Sequence, residues 1–530
     1  MTDSRKSIVV LTMNTLAFTV CFMCWMMNGV LITFLVDNGV FQWTPAEMGW
    51  LIGMPVLTGS ITRLPVGILT DKYGGRIVYG LLMLVSAAFM YVVGEANSYE
   101  QFLLLGLGFG VTGASFAVGI AYTSVWFPKE RQGTALGIFG AGNAGAAVTS
   151  LGAPHLLNWF TNNGDNLEGW RMLPRVYAAA LLVMAIVFFL FTHTRIAAGG
   201  GQKTLAERLA PLKVMRVWRF GLYYFLVFGG FVALAQWLIP YYVNVYAMSV
   251  VSAGFMASIF SLPSGVIRAL GGWMSDLWGA RPVMHGVLLS CLICSALLIV
   301  PRMDIWSPGS GVMARGSGVV KSVGEGEIVV EGRQGDVRYS YQQQTGEAVS
   351  EQRRASGTLV FPKSASWQEP AVEVGDAVSK KQLLATGVTH IFFQANVWIF
   401  TGLVFVVGIA MGIGKAAVYR HIPDYCPNDV GVVGGMVGVL GGLGGFFCPI
   451  IFGYLLQATG LWTTCWMFFL LLTAACMIWM LSVIRRRVKE EAPAVLRELE
   501  SETFGTVGGT QYSAASPAAG PAAGQRAVSS

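Results

Sequence analysis

Arg63-Leu-Pro-Val-Gly67-Ile-Leu-Thr-Asp71-Lys-Tyr-Gly74-Gly-Arg76 and Arg268-Ala-Leu-Gly-Gly272-Trp-Met-Ser-Asp276-Leu-Trp-Gly279-Ala-Arg281 are two copies of one pattern. Arg, Gly, Asp, Gly and Arg recur in the same order, each 205 positions after its counterpart (268 against 63, 276 against 71). Five chemically specific positions at one offset mark an internal duplication, and a duplication decides the architecture before any single motif does. Each copy closes one apolar run, crosses a short charged turn and enters the next. In that turn Asp71 and Asp276 are placed to cap a helix or to pair with Arg76 and Arg281, and Gly67 and Gly272 to let helices approach closely.

The apolar runs extend in both directions. Hydrophobic residues make up 54% of the 530-residue chain and charged residues 12%, against about 25% charge in a soluble domain; the mean hydropathy is +0.59. An uncharged run of about 18 residues or more crosses the hydrocarbon layer as a helix. Twelve such spans are expected, at about 8–36, 46–70, 77–95, 100–126, 132–158 and 172–193, then 217–246, 250–275, 281–301, 392–419, 429–457 and 461–485. The fold class is therefore an all-α polytopic membrane protein of two pseudo-symmetric six-helix bundles. The 66 glycines suit helices that pack closely in lipid. The first apolar block lacks the short core and small-residue cleavage site of a signal peptide and is expected to stay as helix one.

The net charge of +7 comes from short basic loops, not from a nucleic-acid surface. Arg5 and Lys6, Lys72 and Arg76, Lys129 and Arg131, the stretch His193 to Arg219, Arg281, Arg420 and Arg485 to Arg487 fall in one alternate set of loops. The other set, Asp37 to Glu47, Glu95 to Glu100 and 159–170, is poor in positive charge. The positive-inside rule then puts both termini in the cytoplasm of an inner-membrane protein. Residues 1–195 form the N-terminal bundle, 196–216 a cytoplasmic linker, 217–301 and 392–490 the C-terminal bundle, and 491–530, rich in Ala, Gly, Ser and Pro, a disordered tail. The polar insert 302–391 belongs outside, in the periplasm. Its β-branched runs punctuated by Gly (GVVKSVGEGEIVVEG, TLVFP, AVEVGDAVSKKQLLATG) read as a small β-domain. The last run is similar to lipoyl/biotinyl-like barrels but lacks their Met-Lys attachment dipeptide, so no prosthetic group is expected.

The C-x-x-C pairs Cys21/Cys24 and Cys291/Cys294 lie in apolar runs and read as packing residues, not as redox or metal sites. The five histidines, His155, His193, His285, His390 and His421, are scattered, and there is no nucleophile–base pair, so neither a metal nor an enzyme site is expected.

The informative charges are Arg63 and Arg268. Each stands four residues before the repeat glycine, inside an apolar run, where an arginine costs several kcal/mol unless it faces a cavity or a partner. Snorkelling toward the cytoplasm is the structural alternative. Against it stand the equal placement in both halves and the absence of any Asp or Glu well inside a span. Two symmetry-related cations without a protein counter-ion imply an anionic substrate, and the guanidinium fork suits a planar oxyanion. Lys415 is a third positive charge, in span ten, open to either reading. Span five (Gly137-Ile-Phe-Gly140-Ala-Gly142-Asn143-Ala-Gly145) and span eleven (Gly431 to Pro449, with Gly438) carry small residues at three- and four-residue spacing, which generic tight packing explains for either helix alone and which also leaves a narrow space suited to a small ligand.

The G-x-x-x-D-x-x-G-x-R turn resembles the cytoplasmic loop signature of the major facilitator superfamily, whose two six-helix bundles rock about a midplane site. The glycine-rich spans five and eleven, Gly113-Ala-Ser-Phe116 through Trp126-Phe-Pro128-Lys-Glu-Arg-Gln132-Gly133, and Tyr224-Phe-Leu-Val-Phe228-Gly229 are similar to the nitrate/nitrite porter (NarK-type) family within it. The resemblance implies nitrate and nitrite as substrates, antiport by a monomer, no cofactor, Arg63 and Arg268 as a clamp, Tyr224 and Asn143 as hydrogen-bonding partners, Phe116 and Phe228 as a sandwich, and Gly140 and Gly438 as backbone contacts. Lys415, where the family commonly has Asn, and the insert are departures. Proton-coupled nitrate symport is the alternative, followed by another small anion; a receptor built on the insert is disfavoured by the two intact arginines.

Overall fold

Helix starts and breaks follow local sequence. Thr44-Pro45-Ala-Glu47 forms a capping box: the Thr44 hydroxyl accepts from the Glu47 amide at 3.3 Å and the Glu47 carboxylate accepts from the Thr44 amide at 2.7 Å, with Pro45 at the first helical position. Ser98 and Ser249 cap two further helices through the amides of Gln101 and Ser252. Gly74 (φ 83°, ψ 150°) and Gly279 (φ 86°, ψ 148°) end the first helix of each copy of the repeated stretch in the same backbone conformation, one that is essentially closed to a side-chain-bearing residue.

The computed structural model describes residues 3–196, 210–300, 303–333, 335–344, 363–393, 395–425 and 430–505. Twelve helical stretches follow in order: α1 (Arg5–Asp37), α2 (Pro45–Tyr73), α3 (Gly75–Val93), α4 (Tyr99–Trp126), α5 (Lys129–Gly140, a 3-10 turn Ala141–Ala144, then Gly145–Phe160), α6 (Leu167–Phe191), α7 (Met215–Tyr246), α8 (Val250–Val266 with Arg268–Trp278), α9 (Ala280–Leu298), α10 (Val397–Tyr425), α11 (Val430–Thr459) and α12 (Thr464–Gly505). By length and composition ten of these can cross a membrane, and α8, bent by 46°, makes an eleventh. The remaining stretch, α5, is helical where span five was expected but is rich in Gly, Ala, Ser, Thr and Asn, which lowers its apolarity. Among the described residues, those up to Met477 form one compact unit and those from Ile478 a second. The helix of α12 runs to Gly505, beyond residue 490 where a disordered tail was expected to begin; residues 506–530, and 197–209 of the expected linker, lie outside the described residues.

The insert is built from β1 (Met303–Met313), β2 (Gly318–Gly324), β3 (Glu327–Gly332), β4 (Gly335–Ser340), β5 (Lys363–Pro370), β6 (Ala377–Val378) and β7 (Leu383–Phe393). They form two sheets, ordered β1-β7-β5 and β4-β3-β2-β6, over a core that includes Val320, Ile328, Val330, Val378 and Leu384. The GVVKSVGEGEIVVEG run, read as part of a small β-domain, forms the antiparallel pair β2–β3; TLVFP lies outside the described residues. Phe392 and Phe393 were expected to open span ten. They instead pair with Asp304 and Met303 across β1–β7, and the helix starts at Val397. A short apolar run can be strand or helix, and here the partner strand decides.

The turns of the repeat depart from expectation in two ways. Asp276 pairs with Arg420 of α10 at 2.8 Å and Arg281 donates to the Tyr425 hydroxyl, while Arg76 Nη2 donates to the Phe189 carbonyl of α6 at 2.6 Å. The motif of the second half therefore ties its turn to a neighbouring helix and not to itself. Gly67 and Gly272 do not serve close helix approach: a Cβ at either would meet no atom of another element within 4 Å. At those two positions α2 and α8 leave open space, although neighbouring Gly271 lies close to the Ile413 carbonyl of α10. At the other end they interlock, with a Cβ at Gly453 of α11 falling 2.3 Å from the Pro45 carbonyl, one at Gly49 of α2 2.4 Å from that of Pro449, and one at Gly254 of α8 2.1 Å from that of Ser150.

Candidate anion site

Six helices lose regular geometry around the two arginines, the first being α1 at Met26 (φ −90°, ψ −3°), next to Trp25. α2 breaks at Thr62 (φ −69°, ψ −12°) and α8 at Ile267 (φ −68°, ψ −6°), each one residue before its arginine. α4 carries a 3-10 turn at Gly110–Ala114, α5 one at Ala141–Ala144, and α7 a π turn at Phe225–Gly229. Such irregularities free backbone carbonyls and re-aim side chains, and they recur at functional sites.

Arg63 is buried. Its Nη1 donates to the Gly438 carbonyl of α11 at 2.7 Å and its Nε to the Gly113 carbonyl in the α4 turn at 3.4 Å, whereas buried Nη2 has no partner among the described residues. Its guanidinium carbon lies 5.0 Å from the Phe228 ring centroid, 5.5 Å from that of Phe116 and 5.8 Å from Trp25. Arg268 is half-buried, 5.2 Å from the same Phe116 ring and 5.4 Å from Tyr419, and its Nη1 is likewise unpartnered. The two guanidinium groups thus share one aromatic neighbour, and cation–π attraction partly offsets their desolvation.

Tyr224 is fully buried, stacked on Phe228 (5.0 Å, 7°) and edge-on to Tyr419 (5.0 Å, 77°). Its hydroxyl lies near that of Tyr419 without a well-formed hydrogen bond. Phe116 and Phe228 lie 6.2 Å apart at 23°, so they face each other across the boundary between α4 and α7. Asn143 is fully buried; its Nδ2 donates to the Gly140 carbonyl at 2.7 Å and its Oδ1 has no partner. A Cβ at Gly140 would sit 3.3 Å from the Arg268 side chain, and one at Gly438 3.1 Å from the Tyr419 hydroxyl. The six other residues singled out from the sequence therefore gather around the two arginines, Asn143 through Gly140. Lys415 lies one helical turn aside, on Ser264 of α8.

Sequence reading missed Tyr419 and Trp25. Tyr419 donates to the Gly434 carbonyl at 3.1 Å and stands between the two arginines; Trp25 fixes its indole on the Pro55 carbonyl at 2.9 Å beside Arg63. The one available signal was that Tyr419 follows Lys415 by four residues and so shares its helix face. Cys21, Cys24, Cys291 and Cys294 are buried free thiols. Among the described residues no salt bridge reaches Arg63 or Arg268. Chemically, the site offers forked cationic donors, a phenol and two flat rings: a cradle for a small planar anion.

The fold and this central site define a membrane transporter, and a model of the "Major Facilitator Superfamily" matches residues 15–322 and 382–521; the chain belongs to that superfamily. The unmatched residues 323–381 fall inside the insert. Among curated proteins the chain is 36% identical over 495 residues to the "Probable nitrate/nitrite antiporter NarK1" of Thermus thermophilus, covering 93% of this chain and 95% of that one. It is 31% identical over 302 residues to the "Probable nitrate/nitrite transporter NarK2" of Mycobacterium tuberculosis (56% and 74%), and 23% identical over 454 residues to the "Nitrite extrusion protein" of Bacillus subtilis (85% and 88%). Within the superfamily it is thus a member of the NarK-type family. Solved structures share the fold: a bacterial homologue of the human lysosomal transporter Spinster, inward-facing and occupied (TM-score 0.58, 15% identity, 90% and 96% covered), and the nucleoside transporter NupG (TM-score 0.56, 11% identity, 91% and 99%).

Proposed function

We propose that this chain exchanges nitrate for nitrite across the membrane by alternating access, as a monomer in the inner membrane with both termini cytoplasmic and the insert outside. The observation that carries the reading is the convergence of Arg63 and Arg268 on Phe116, each with a buried nitrogen lacking a partner. Those two N–H groups and the Tyr224 hydroxyl match the acceptor oxygens of a planar oxyanion, and the Phe116 and Phe228 rings match its faces. The printed names of the NarK relatives supply nitrate and nitrite as the members of that chemical class.

Exchange follows from electrostatics. Without an anion the two guanidinium groups repel each other as the halves close, and a bound anion removes that penalty. The loaded carrier then rocks and the unloaded one does not, which makes the exchange obligatory. With the orientation proposed, the interlocked end at Gly49, Gly254 and Gly453 faces outside and the open positions at Gly67 and Gly272 face the cytoplasm, which supports an inward-facing reading. Reconstituted protein in nitrite-loaded liposomes tests the reading: external labelled nitrate is taken up only against internal nitrite or nitrate.

A further inference from the structure

The insert grows directly out of two membrane spans. α9 ends at Leu298, and its 19 residues rise roughly 28 Å, close to the ~30 Å of the hydrocarbon layer. The β1–β7 ladder opens at the pair Met303↔Phe393, between the end of α9 and the start of α10 at Val397. Its first rungs therefore follow on the edge of the hydrocarbon. Leu289, Ile293 and Leu297 are exposed at every fourth position, one stripe along α9. Trp398, Ile399, Phe405 and Val406 are exposed along α10. Both stripes have the apolar exposure of a surface that faces lipid, and both run toward the insert.

The apolar surface continues into the strands. Ile305 (46% exposed) and Trp306 (55%) are neighbours on β1, an edge strand of its sheet. Successive strand residues point to opposite faces, so both faces of this edge are apolar. Trp306 stacks on His390 (4.2 Å, 21°) and stands edge-on to buried Trp367 (5.6 Å, 90°), which supports the indole on one side and leaves the rest open. Among the insert residues whose side chains are described, Trp306 is the one exposed aromatic. Charge lies elsewhere. β7 carries no Asp, Glu, Lys or Arg, and β1 only Asp304 near its start, whereas the second sheet carries Lys321, Glu327, Glu331, Asp336 and Arg338. Lys321 pairs with Asp336 there at 2.6 Å. The insert thus has a charged body and an apolar foot. An edge strand showing Ile and Trp to water is a hazard for pairing with other chains, while tryptophan settles readily at a membrane–water interface.

We propose that the foot of the insert, Ile305 and Trp306 of β1, is seated in the lipid head-group layer, so that the partner of this edge is phospholipid. Continuity carries the choice of partner: the edge follows within a few residues on the lipid-facing stripes of α9 and α10, and exposed aromatic surface stops there. Further out the exposed large side chains are Met313, Val319, Val337, Val374 and Leu383, all aliphatic or thioether. The lipid contact holds the insert at a fixed height, and the ladder ties the neighbouring ends of α9 and α10 to it. The proposal makes no use of the anion site and reads the same on either side of the membrane.

The test places a nitroxide label on Ile305→Cys and, separately, on Val374→Cys in the body of the insert, each in the full-length protein in phosphatidylethanolamine/phosphatidylglycerol nanodiscs. The seven cysteines among the described residues are buried, and wild type put through the same labelling gives the background. Relaxation by oxygen, which concentrates in lipid, is compared with relaxation by a water-soluble nickel chelate. The oxygen-to-nickel ratio is expected to be several-fold higher at position 305 than at position 374. Equal ratios would put the foot in water and overturn the proposal. A label at 305 shielded from both reagents and broadened by a second label would assign the edge to another copy of the chain, which also overturns it. Brominated phospholipid gives a check that needs no label: the quenched share of the tryptophan fluorescence should fall in Trp306→Phe, and an unchanged share would overturn the proposal.

Discussion

Arg63, from the first half of the duplication, donates a 2.7 Å hydrogen bond to the carbonyl oxygen of Gly438 in the second half. One arginine therefore has two tasks: it spans the seam between the bundles through Nη1 and leaves Nη2 for a ligand. The planar fork allows both at once, and an ammonium with a single donor centre does not. Arg63→Lys should keep the charge and lose the geometry. One charge-assisted hydrogen bond is worth about 1.5–3 kcal/mol, so nitrate affinity should fall about tenfold to a hundredfold. Arg268→Lys should behave alike. Calorimetric titration of the variants checks this.

Tyr224→Phe separates the hydroxyl from the ring. The stack on Phe228 at 5.0 Å survives and the partnerless hydroxyl goes. Nitrate binding should weaken by about tenfold, the value of one hydrogen bond to an ion, with thermal stability unchanged or raised, because a buried unsatisfied group is removed. A large drop in stability would assign the hydroxyl a structural role.

Asn143→Asp supplies the counter-ion that the site lacks. The change is nearly isosteric and places a carboxylate on the α5 turn, three residues from the glycine that abuts Arg268. An internal anion competes with the substrate at short range, so nitrate binding should fall below detection while Asn143→Ser retains most of it. Equal loss in both variants would point to the amide itself and not to charge.

Gly453→Val tests closure at the interlocked end. A Cβ there falls 2.3 Å from the Pro45 carbonyl, too close for the packed state to persist. Exchange should fall at least tenfold while nitrate binding in detergent survives. Loss of both would mean that the contact serves folding alone.

Gly74 and Gly279 hold the same unusual backbone conformation at the two repeated turns. Alanine at either should cost about 1–3 kcal/mol of strain, lowering the thermal midpoint by similar amounts. A neutral Gly279→Ala would show that the turn relaxes freely.

The duplication made much of this legible. Arg63, Arg268 and the turn glycines carry local signals: charge inside an apolar run, and a residue type that one backbone conformation demands. Phe116, Phe228 and Tyr224 were legible only through resemblance, since an aromatic in a membrane helix is ordinarily packing. Tyr419 carried only the weak signal of sharing a helix face with Lys415, and Trp25 none, because their place between or beside the arginines depends on how α10 and α1 cross the site, which no local pattern encodes. The π turn of α7 was invisible for the same reason. In the insert, β2 and β3 were readable from alternating β-branched residues, but β1 (MDIWSPGSGVM) was not: its Pro and Gly residues suit an edge strand, and it is ordered by pairing with β7.

The central claim is that an anion held between Arg63 and Arg268 permits the halves to rock. Uptake of labelled nitrate into liposomes tests it most directly, comparing lumens that contain nitrite with lumens that contain no anion substrate, with and without an inward proton gradient. Uptake that requires internal nitrite, needs no gradient and is lost in Arg63→Lys and Arg268→Lys is the predicted result. Gradient-driven uptake into substrate-free liposomes would contradict exchange and leave proton-coupled symport through the same site.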